Sequence, residues 1–493
     1  MIRRLLVPNR GEIAVRIART AREMGIESVL AFAADDDNRY VRGAFDAVVS
    51  LGDGDLRSTY LNVEKIMAVA RDSNCDAIHP GYGFLSERAS LAEACEEAGV
   101  VFVGPASRSI ELMGSKSGSR QLMKRLGVPV VPGYDGDEQS VERLVREAQS
   151  LGFPLLVKAS GGGGGKGMKI VREEAQLRAA VESARREALK AFGDDRLLLE
   201  RYIEEPRHVE FQVFGDSHGS IVHLYERDCS IQRRHQKIIE ESPAPRYSDD
   251  LRERMAEAAV AAARGVEYRS AGTVEFIVTP ENDFFFLEMN TRLQVEHPVT
   301  ELVLGLDLVR LQLEVASGSE LPFSQKEISQ RGHAIECRIY AEDPADNFLP
   351  QSGAITRYRE PSGPGIRVDS GFGQGSHIGV HYDPMIAKLV CSAGTRSECI
   401  DRTLRALSEF VVLGVRTNIS YLSKVLAHSA FRDGRVSTRF VVDHEAQLRD
   451  EDDPAASGIA AILAAKAGRQ TVAEGGVNAV LASVWDQLGD WGR

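Results

Sequence analysis

Leu155-Leu156-Val157-Lys158-Ala159-Ser160-Gly161-Gly162-Gly163-Gly164-Gly165-Lys166-Gly167-Met168-Lys169-Ile170-Val171 sets five consecutive glycines between two short apolar stretches of strand character. Such a run frees backbone N–H groups to close on phosphate oxygens with no Cβ in the way. It is not a Walker loop. That motif needs Gly at 160 and Ser or Thr at 167, where the sequence has Ser160 and Gly167, and a strand rather than a helix follows. A flexible linker is the plain alternative for the glycines alone. Lys158, Lys166 and the flanking strands favour a mobile phosphate lid.

Around this lid the pattern predicts a small unit running helix, strand, glycine loop, strand, helix, strand to about residue 203. It begins at the Pro- and Gly-marked boundary Gly127-Val128-Pro129-Val130-Val131-Pro132-Gly133-Tyr134. Upstream, Leu5-Leu6-Val7, Ser28–Phe32, Ala47-Val48-Val49, Ala77-Ile78 and Val100–Val103 read as strands. They alternate with helical periodicity over Glu12–Met24 and Leu61–Arg71, which predicts an open, Rossmann-like α/β domain. Its first turn, Val7-Pro8-Asn9-Arg10-Gly11-Glu12, lacks G-x-G-x-x-G, which leaves a dinucleotide site weakly supported and excludes a nicotinamide dehydrogenase. Downstream, Val209–Phe214, Ser220–Glu226, Gly272–Val278, Phe284–Met289 and Gly332–Tyr340 predict strands with antiparallel pairing. Residues 446–493 read as an acidic linker, Glu451-Asp452-Asp453-Pro454, and an Ala-rich helix over Ile459–Ala467.

Chemistry concentrates downstream of the lid. A two-residue turn at Glu281-Asn282 sets Glu275 opposite Glu288, and Asn290 shares that face because side chains alternate along a strand. Facing carboxylates repel unless a cation lies between them, and oxygen-only ligands favour Mg²⁺ or Mn²⁺. An exposed charged face without metal is the alternative, opposed by the apolar run Phe284–Leu287. Glu226–Lys237 packs four basic residues and His235 into twelve positions, consistent with basic side chains lining an anionic cleft. Thr291-Arg292-Leu293-Gln294-Val295-Glu296-His297-Pro298 then offers a guanidinium able to grip planar bicarbonate and a carboxylate able to take its proton, with plain surface charge the equal alternative on spacing alone.

The 493 residues carry 60 Lys plus Arg against 72 Asp plus Glu, a net charge of −12, which disfavours nucleic acid as a partner. The length suggests about three domains. With 43% hydrophobic and 27% charged residues the chain reads as folded and globular. No apolar run is long enough to span a membrane, and Pro8, Asn9 and Arg10 break the only N-terminal apolar stretch, so a cytoplasmic location is expected. The six scattered cysteines show neither a disulfide frame nor zinc spacing, and are expected reduced and mostly buried.

Together these stretches resemble the biotin carboxylase family. The resemblance runs from Ile2 to about His444 and rests on Asn9–Ala14, His79-Pro80-Gly81-Tyr82-Gly83-Phe84-Leu85-Ser86-Glu87, the glycine loop, Glu226–Lys237, Glu288–Arg292, Gln294–Pro298 and Gly332–Ile339. It implies an α/β chain of three parts: a Rossmann-like (pre-ATP-grasp) domain over 1–113, an ATP-grasp domain over 114–325 with its glycine-rich lid at about 132–203, and a mixed α+β C-terminal domain over 330–445. Carried over by position, Lys116 and Lys158 hold ATP phosphates, with Gly164 and Gly165 in the lid. Glu200, Arg201, Ile203, His208, Gln232 and His235 lie around the nucleotide. Position 201 is commonly Lys in relatives, through a backbone contact that Arg201 also offers. Glu275 and Glu288 serve ATP and, with Asn290, the metal. Lys237, Arg292 and Val295 form the bicarbonate site, Glu296 is the general base, and Arg338 stabilises the biotin enolate.

The implied reaction is the first half-reaction of an acyl-CoA carboxylase of acetyl- or propionyl-CoA type. Bicarbonate attacks ATP to give carboxyphosphate, and the CO₂ released is taken up by biotin N1. ATP, Mg²⁺ or Mn²⁺ and biotin are the implied cofactors. The nearest string to a biotinyl Met-Lys-Met hairpin, Met168-Lys169-Ile170, lies in the lid, so biotin is expected on a separate carrier domain or protein, with a carboxyltransferase as further partner. Homodimerisation is common in the family. The tail resembles the start of the linking domain of longer α-chains. Other bicarbonate-activating ATP-grasp ligases, carboxylase components for methylcrotonyl-CoA or pyruvate, and a non-catalytic ATP-binding subunit are the rivals.

Overall fold

The computed structural model describes residues 1–36, 39–160, 168–234 and 236–449. Gly164, Gly165, His235 and the Ala-rich segment 459–467 lie outside them. At the N-terminus β1 (Arg4–Val7), β2 (Glu27–Phe32), β3 (Ala47–Ser50), β4 (Ala77–Ile78) and β5 (Val101–Phe102) form one parallel sheet in the order β3-β2-β1-β4-β5. Successive side chains of a strand leave on opposite faces, which explains the unbroken apolar run of β1. Leu5 packs with Ile13 and Ile17 of α1 (Gly11–Glu23), while Leu6 packs with Ile66 of α2 (Val63–Asp72) and Leu91 of α3 (Ala89–Ala98). The expected open α/β layer is the one observed.

The strands and helices between residues 133 and 201 have a core of their own. β6 (Gly133–Tyr134), β7 (Leu155–Ala159), β8 (Lys169–Val171) and β9 (Leu197–Arg201) pair antiparallel in the order β6-β9-β7-β8. Leu155, Val157, Val171 and Leu199 bury one face against Leu144 of the helix Val141–Leu151 and Leu177 and Val181 of the helix Glu174–Phe192.

Eight antiparallel strands make the third sheet: β10 (Arg207–Gly215), β11 (Ile221–Arg233), β12 (Gln236–Ser242), β13 (Ser270–Val278), β14 (Phe284–Asn290), β15 (His333–Tyr340), β16 (Ile366–Ser370) and β17 (Met385–Ala393). Their order is β14-β13-β10-β11-β12-β15-β17-β16. In β10, Val209, Phe211 and Val213 pack on the Ala-rich face of the helix Asp249–Arg264, so His208, Glu210 and Gln212 must point to the opposite face. β12 pairs with β15, Ile239 against Cys337, so the sheet runs without a break past the expected division near residues 325–330.

Candidate active site

The β13–β14 hairpin reaches the expected register by an unexpected route. Val278, Ile277 and Phe276 pair with Phe284, Phe285 and Phe286, whereas Glu275, Val274 and Thr273 pair with Glu288, Met289 and Asn290. The turn therefore holds three residues, Pro280-Glu281-Asn282, with Asn282 in the left-handed region at φ 68°. A bulge at Leu287 absorbs the extra residue. Two one-residue differences cancel, and Glu275 does face Glu288.

At the centre stands the Lys237 ammonium, 2.6 Å from Glu210 Oε2, 2.9 Å from Glu275 Oε1 and 2.6 Å from Glu296 Oε1. Burial works against its charge, but the three carboxylates outweigh it and hold Lys237 well above the ordinary lysine range. Glu296 is bracketed from the other side by Arg338 Nη2 at 3.0 Å. Burial opposes its ionisation; Lys237, Arg338 and Arg227 prevail and keep its carboxyl well below the usual carboxylate range. Arg338 Nε in turn donates to Glu240 Oε1 at 2.6 Å.

Asn290 Nδ2 donates to Glu275 Oε1 at 2.9 Å, and its Oδ1 accepts from Arg292 Nη2 at 2.9 Å. His208 Nε2 lies 2.8 Å from Glu275 Oε2, a close approach without hydrogen-bond alignment, and its Nδ1 accepts from Gln232 Nε2 at 2.7 Å. The carboxylate of half-buried Glu288 makes no hydrogen bond or ion pair with a described residue. Burial and then the repulsion of Glu275 push its carboxyl up, with Lys116 pulling the other way. A carboxylate left unpaired opposite a second one, beside an amide oxygen, is a donor set that fits Mg²⁺ or Mn²⁺. The neighbouring cluster of His208, Glu210 and Glu275 already has its cation in Lys237.

Among the residues expected around ATP, Lys158 Nζ meets Glu200 Oε2 at 2.5 Å, and Arg120 Nη1 meets Glu200 Oε1 at 3.0 Å. Lys116 lies within the fields of Lys158, Glu288 and Glu200, and burial followed by Lys158 lowers its pKa. Arg201 is exposed, with its backbone N–H on Pro132 O, and Ile203 is half-buried after β9. The expectation for Glu226–Lys237 as a cleft lining is corrected. Most of it forms the hairpin end of β11 and β12, and of its basic residues among those described Lys237 and Arg227 meet the carboxylate cluster, Arg227 only through Glu210. Arg227 is fully buried and spends its five N–H groups on Glu210, Gln212, Thr300, Thr273 and Gln294. Arg233 pairs with Glu342 at 2.6 Å and stacks on Phe348.

Sequence reasoning missed Glu210, Glu240 and Glu87, the last lying 3.0 Å from Arg292 Nε. The signal for Glu210 was available: in β10 polar His208, Glu210 and Gln212 alternate with apolar residues, and the apolar set was used only to assign the strand. Glu87 ends the His79–Glu87 motif. Asn9 Nδ2 secures that turn by donating to Pro80 O and Tyr82 O, and Gly81, at φ 63°, leaves no room for a Cβ beside Asn9.

Comparison with known proteins agrees with this geometry. Models of the biotin carboxylase N-terminal domain, the carbamoyl-phosphate synthase L chain ATP-binding domain and the biotin carboxylase C-terminal domain match residues 1–110, 115–324 and 336–443. The chain is 50% identical over 448 residues to the mitochondrial methylcrotonoyl-CoA carboxylase subunit alpha of Rattus norvegicus, covering 91% of this chain but 63% of that relative's length. It is 49% identical over 447 residues to biotin carboxylase 1 of Bacillus subtilis, 90% of this chain and 99% of that one. The biotin carboxylase domain dimer of Hydrogenobacter thermophilus 2-oxoglutarate carboxylase, solved with MgADP, ADP and bicarbonate, superposes with a TM-score of 0.88 at 44% identity, covering 92% of this chain and 100% of that one. The chain belongs to the biotin carboxylase family, ATP-dependent ligases built on the ATP-grasp fold.

Proposed function

We propose that this chain carboxylates N1 of biotin on a carrier, using ATP and bicarbonate, and that Glu296 is its general base. The observation that carries the reading is the chain Lys237–Glu296–Arg338, a carboxylate held between two cations, one beside the carboxylate pair of the hairpin and one on β15. While Lys237 and Arg338 both pair with it, Glu296 is a weak base because they stabilise its charge. Bicarbonate received by Lys237, Arg292 and Val295 draws Lys237 away from Glu296, which restores its basicity as the proton to be removed arrives. Glu296 takes that proton, and the bicarbonate oxygen attacks the γ-phosphorus of ATP to give carboxyphosphate and ADP. Lys116, Lys158, Lys237 and Arg292 offset the charge that develops. Glu275 and Glu288, with Asn290, would hold the Mg²⁺ or Mn²⁺ that supplies further charge neutralisation at the phosphates. Carboxyphosphate breaks down to CO₂ and phosphate. Phosphate removes the N1 proton of biotin, Arg338 supports the enolate, and N1 attacks CO₂. Gly164 and Gly165 belong to the lid that excludes water during these steps, and Glu200, Arg201, Ile203, His208, Gln232 and His235 surround the nucleotide.

The proposal extends to a domain division at 1–113, 114–325 and 330–445, a homodimer, a carrier and a carboxyltransferase as partners, and a cytoplasmic location. For the final acceptor we propose an acyl-CoA. The relative's name favours methylcrotonoyl-CoA over the acetyl- or propionyl-CoA type expected from sequence. The test is phosphate release from ATP and Mg²⁺, with and without bicarbonate and free biotin. Release that needs bicarbonate and rises with biotin supports the reading. Release that ignores biotin favours another bicarbonate-activating ligase.

A further inference from the structure

Lys388 of β17 lies between its register partners Arg338 of β15 and Asp369 of β16. Its side chain is completely buried. Among the described residues its ammonium makes one hydrogen bond, to the main-chain carbonyl of Val295 at 2.7 Å. The nearest carboxylate oxygen among them, Glu12 Oε1 from the first turn of α1, is 3.9 Å away and has no hydrogen bond. Glu336, two residues from Arg338 on the same face of β15, buries both carboxyl oxygens without a hydrogen bond. Burial pushes Glu12 up to about 7 and Glu336 well above the usual range. Asp369 is already paired with Arg367 at 2.6 Å.

Lys388 therefore has no closely paired carboxylate, and an ammonium kept in the core on one hydrogen bond lowers stability. That bond goes to the segment that carries Glu296. The rest of the segment is tied elsewhere: Gln294 Oε1 by Arg227, Gln294 Nε2 by Glu275, and Gln294 O by His297 Nδ1 at 2.7 Å. Among the described residues no other hydrogen bond is made to the peptide joining Val295 to Glu296.

We propose that Lys388 is a positioning residue for bicarbonate: it fixes the Val295–Glu296 peptide from behind and so sets where the anion is received. This rests on the bicarbonate role proposed above for Val295 and Glu296. The test compares the full chain with Lys388→Met, which keeps the length but removes donor and charge, and Lys388→Gln, which keeps a donor. In Lys388→Met the KM for bicarbonate should rise roughly tenfold or more, with the KM for ATP within about twofold. Its thermal midpoint should stay level or rise, because a buried charge has gone. Lys388→Gln should recover part of the bicarbonate KM. A bicarbonate KM within about twofold of the parent overturns the inference, as does a lowered midpoint with both KM values moving together. If Lys388→Met fails to fold, the assignment to positioning is wrong, since the charge is then structural. A parent chain whose phosphate release ignores bicarbonate refutes the bicarbonate reading itself; a bicarbonate-dependent parent with an unaltered variant refutes only the role of Lys388.

Discussion

At the residue scale the site is a problem of charge compensation, and single substitutions separate its parts. Glu288 faces Glu275 with no hydrogen-bond or ion-pair partner for its carboxylate among the described residues, so Glu288→Gln relieves a repulsion and should leave the fold intact. If the two carboxylates hold the metal, Mg-ATP turnover should still fall by about 100-fold, and near-normal turnover would refute the metal role. Among the described residues Arg338 pairs with Glu296 and Glu240 and with no group assigned to ATP. Arg338→Gln should therefore reduce biotin carboxylation about 100-fold and bicarbonate-dependent ATP cleavage less than about tenfold; equal losses contradict its assignment to biotin. Glu12 gives a pH signature. Burial raises it from 4.5 to about 7, so the unfolded chain ionises it first. Well below pH 4.5 neither state bears a cost, and above pH 7 the folded state bears all of it. Glu12→Gln should stabilise the protein by on the order of 3 kcal/mol at pH 8 and by less than about 1 kcal/mol at pH 5. Denaturant midpoints at the two pH values check the sign, and equal gains at both would show that ionisation is not the cause.

At the scale of the element, the strand period made much of this legible. Glu275, Glu288 and Asn290 share a face because alternation fixes it, and the resemblance supplied Lys237, Arg292, Glu296 and Arg338 at positions that the fold brings together. What alternation could not show is how many residues a turn spends, so the three-residue turn and the Leu287 bulge were invisible although their effects cancel. Nor does a charge run reveal whether it is wet. Arg227 looked like part of a basic lining, but β11 lies between β10 and β12, and all five of its donors are satisfied in the interior, three by the sheet residues Glu210, Gln212 and Thr273 and two by Gln294 and Thr300. Arg227→Met should lower stability by about 3–5 kcal/mol, because Glu210 Oε1 is left buried without its partner. A denaturant midpoint close to the parent's would mean that Glu210 is neutral or finds another donor.

Across the whole of Met1–Leu448, buried ion pairs join elements far apart in sequence. Arg16 of α1 meets Glu301 at 2.7 Å and Asp307 at 2.8 Å, while Arg367 of β16 meets Glu301 at 2.7 Å. Glu301→Gln leaves two guanidiniums facing a neutral amide and should cost about 3–5 kcal/mol of stability, read as a lower denaturant midpoint with bicarbonate dependence of the remaining folded enzyme retained. A change below about 1 kcal/mol would show that Asp307 and Asp369 suffice to hold the two arginines.

The sequence by itself determined the layers, because periods of 2 and 3.6 separate strands from helices, and it determined which carboxylates of the hairpin share a face. Family resemblance named the residues around them. Only the tertiary structure decided that Lys237 stands among Glu210, Glu275 and Glu296, that Lys388 reaches the Val295 carbonyl, and that eight strands from residues 207 to 393 form one sheet. Those contacts arise from the pairing of strands distant in the chain. Local alternation tells which face a side chain takes, whereas its partner across that face is chosen by the order and register in which the strands assemble.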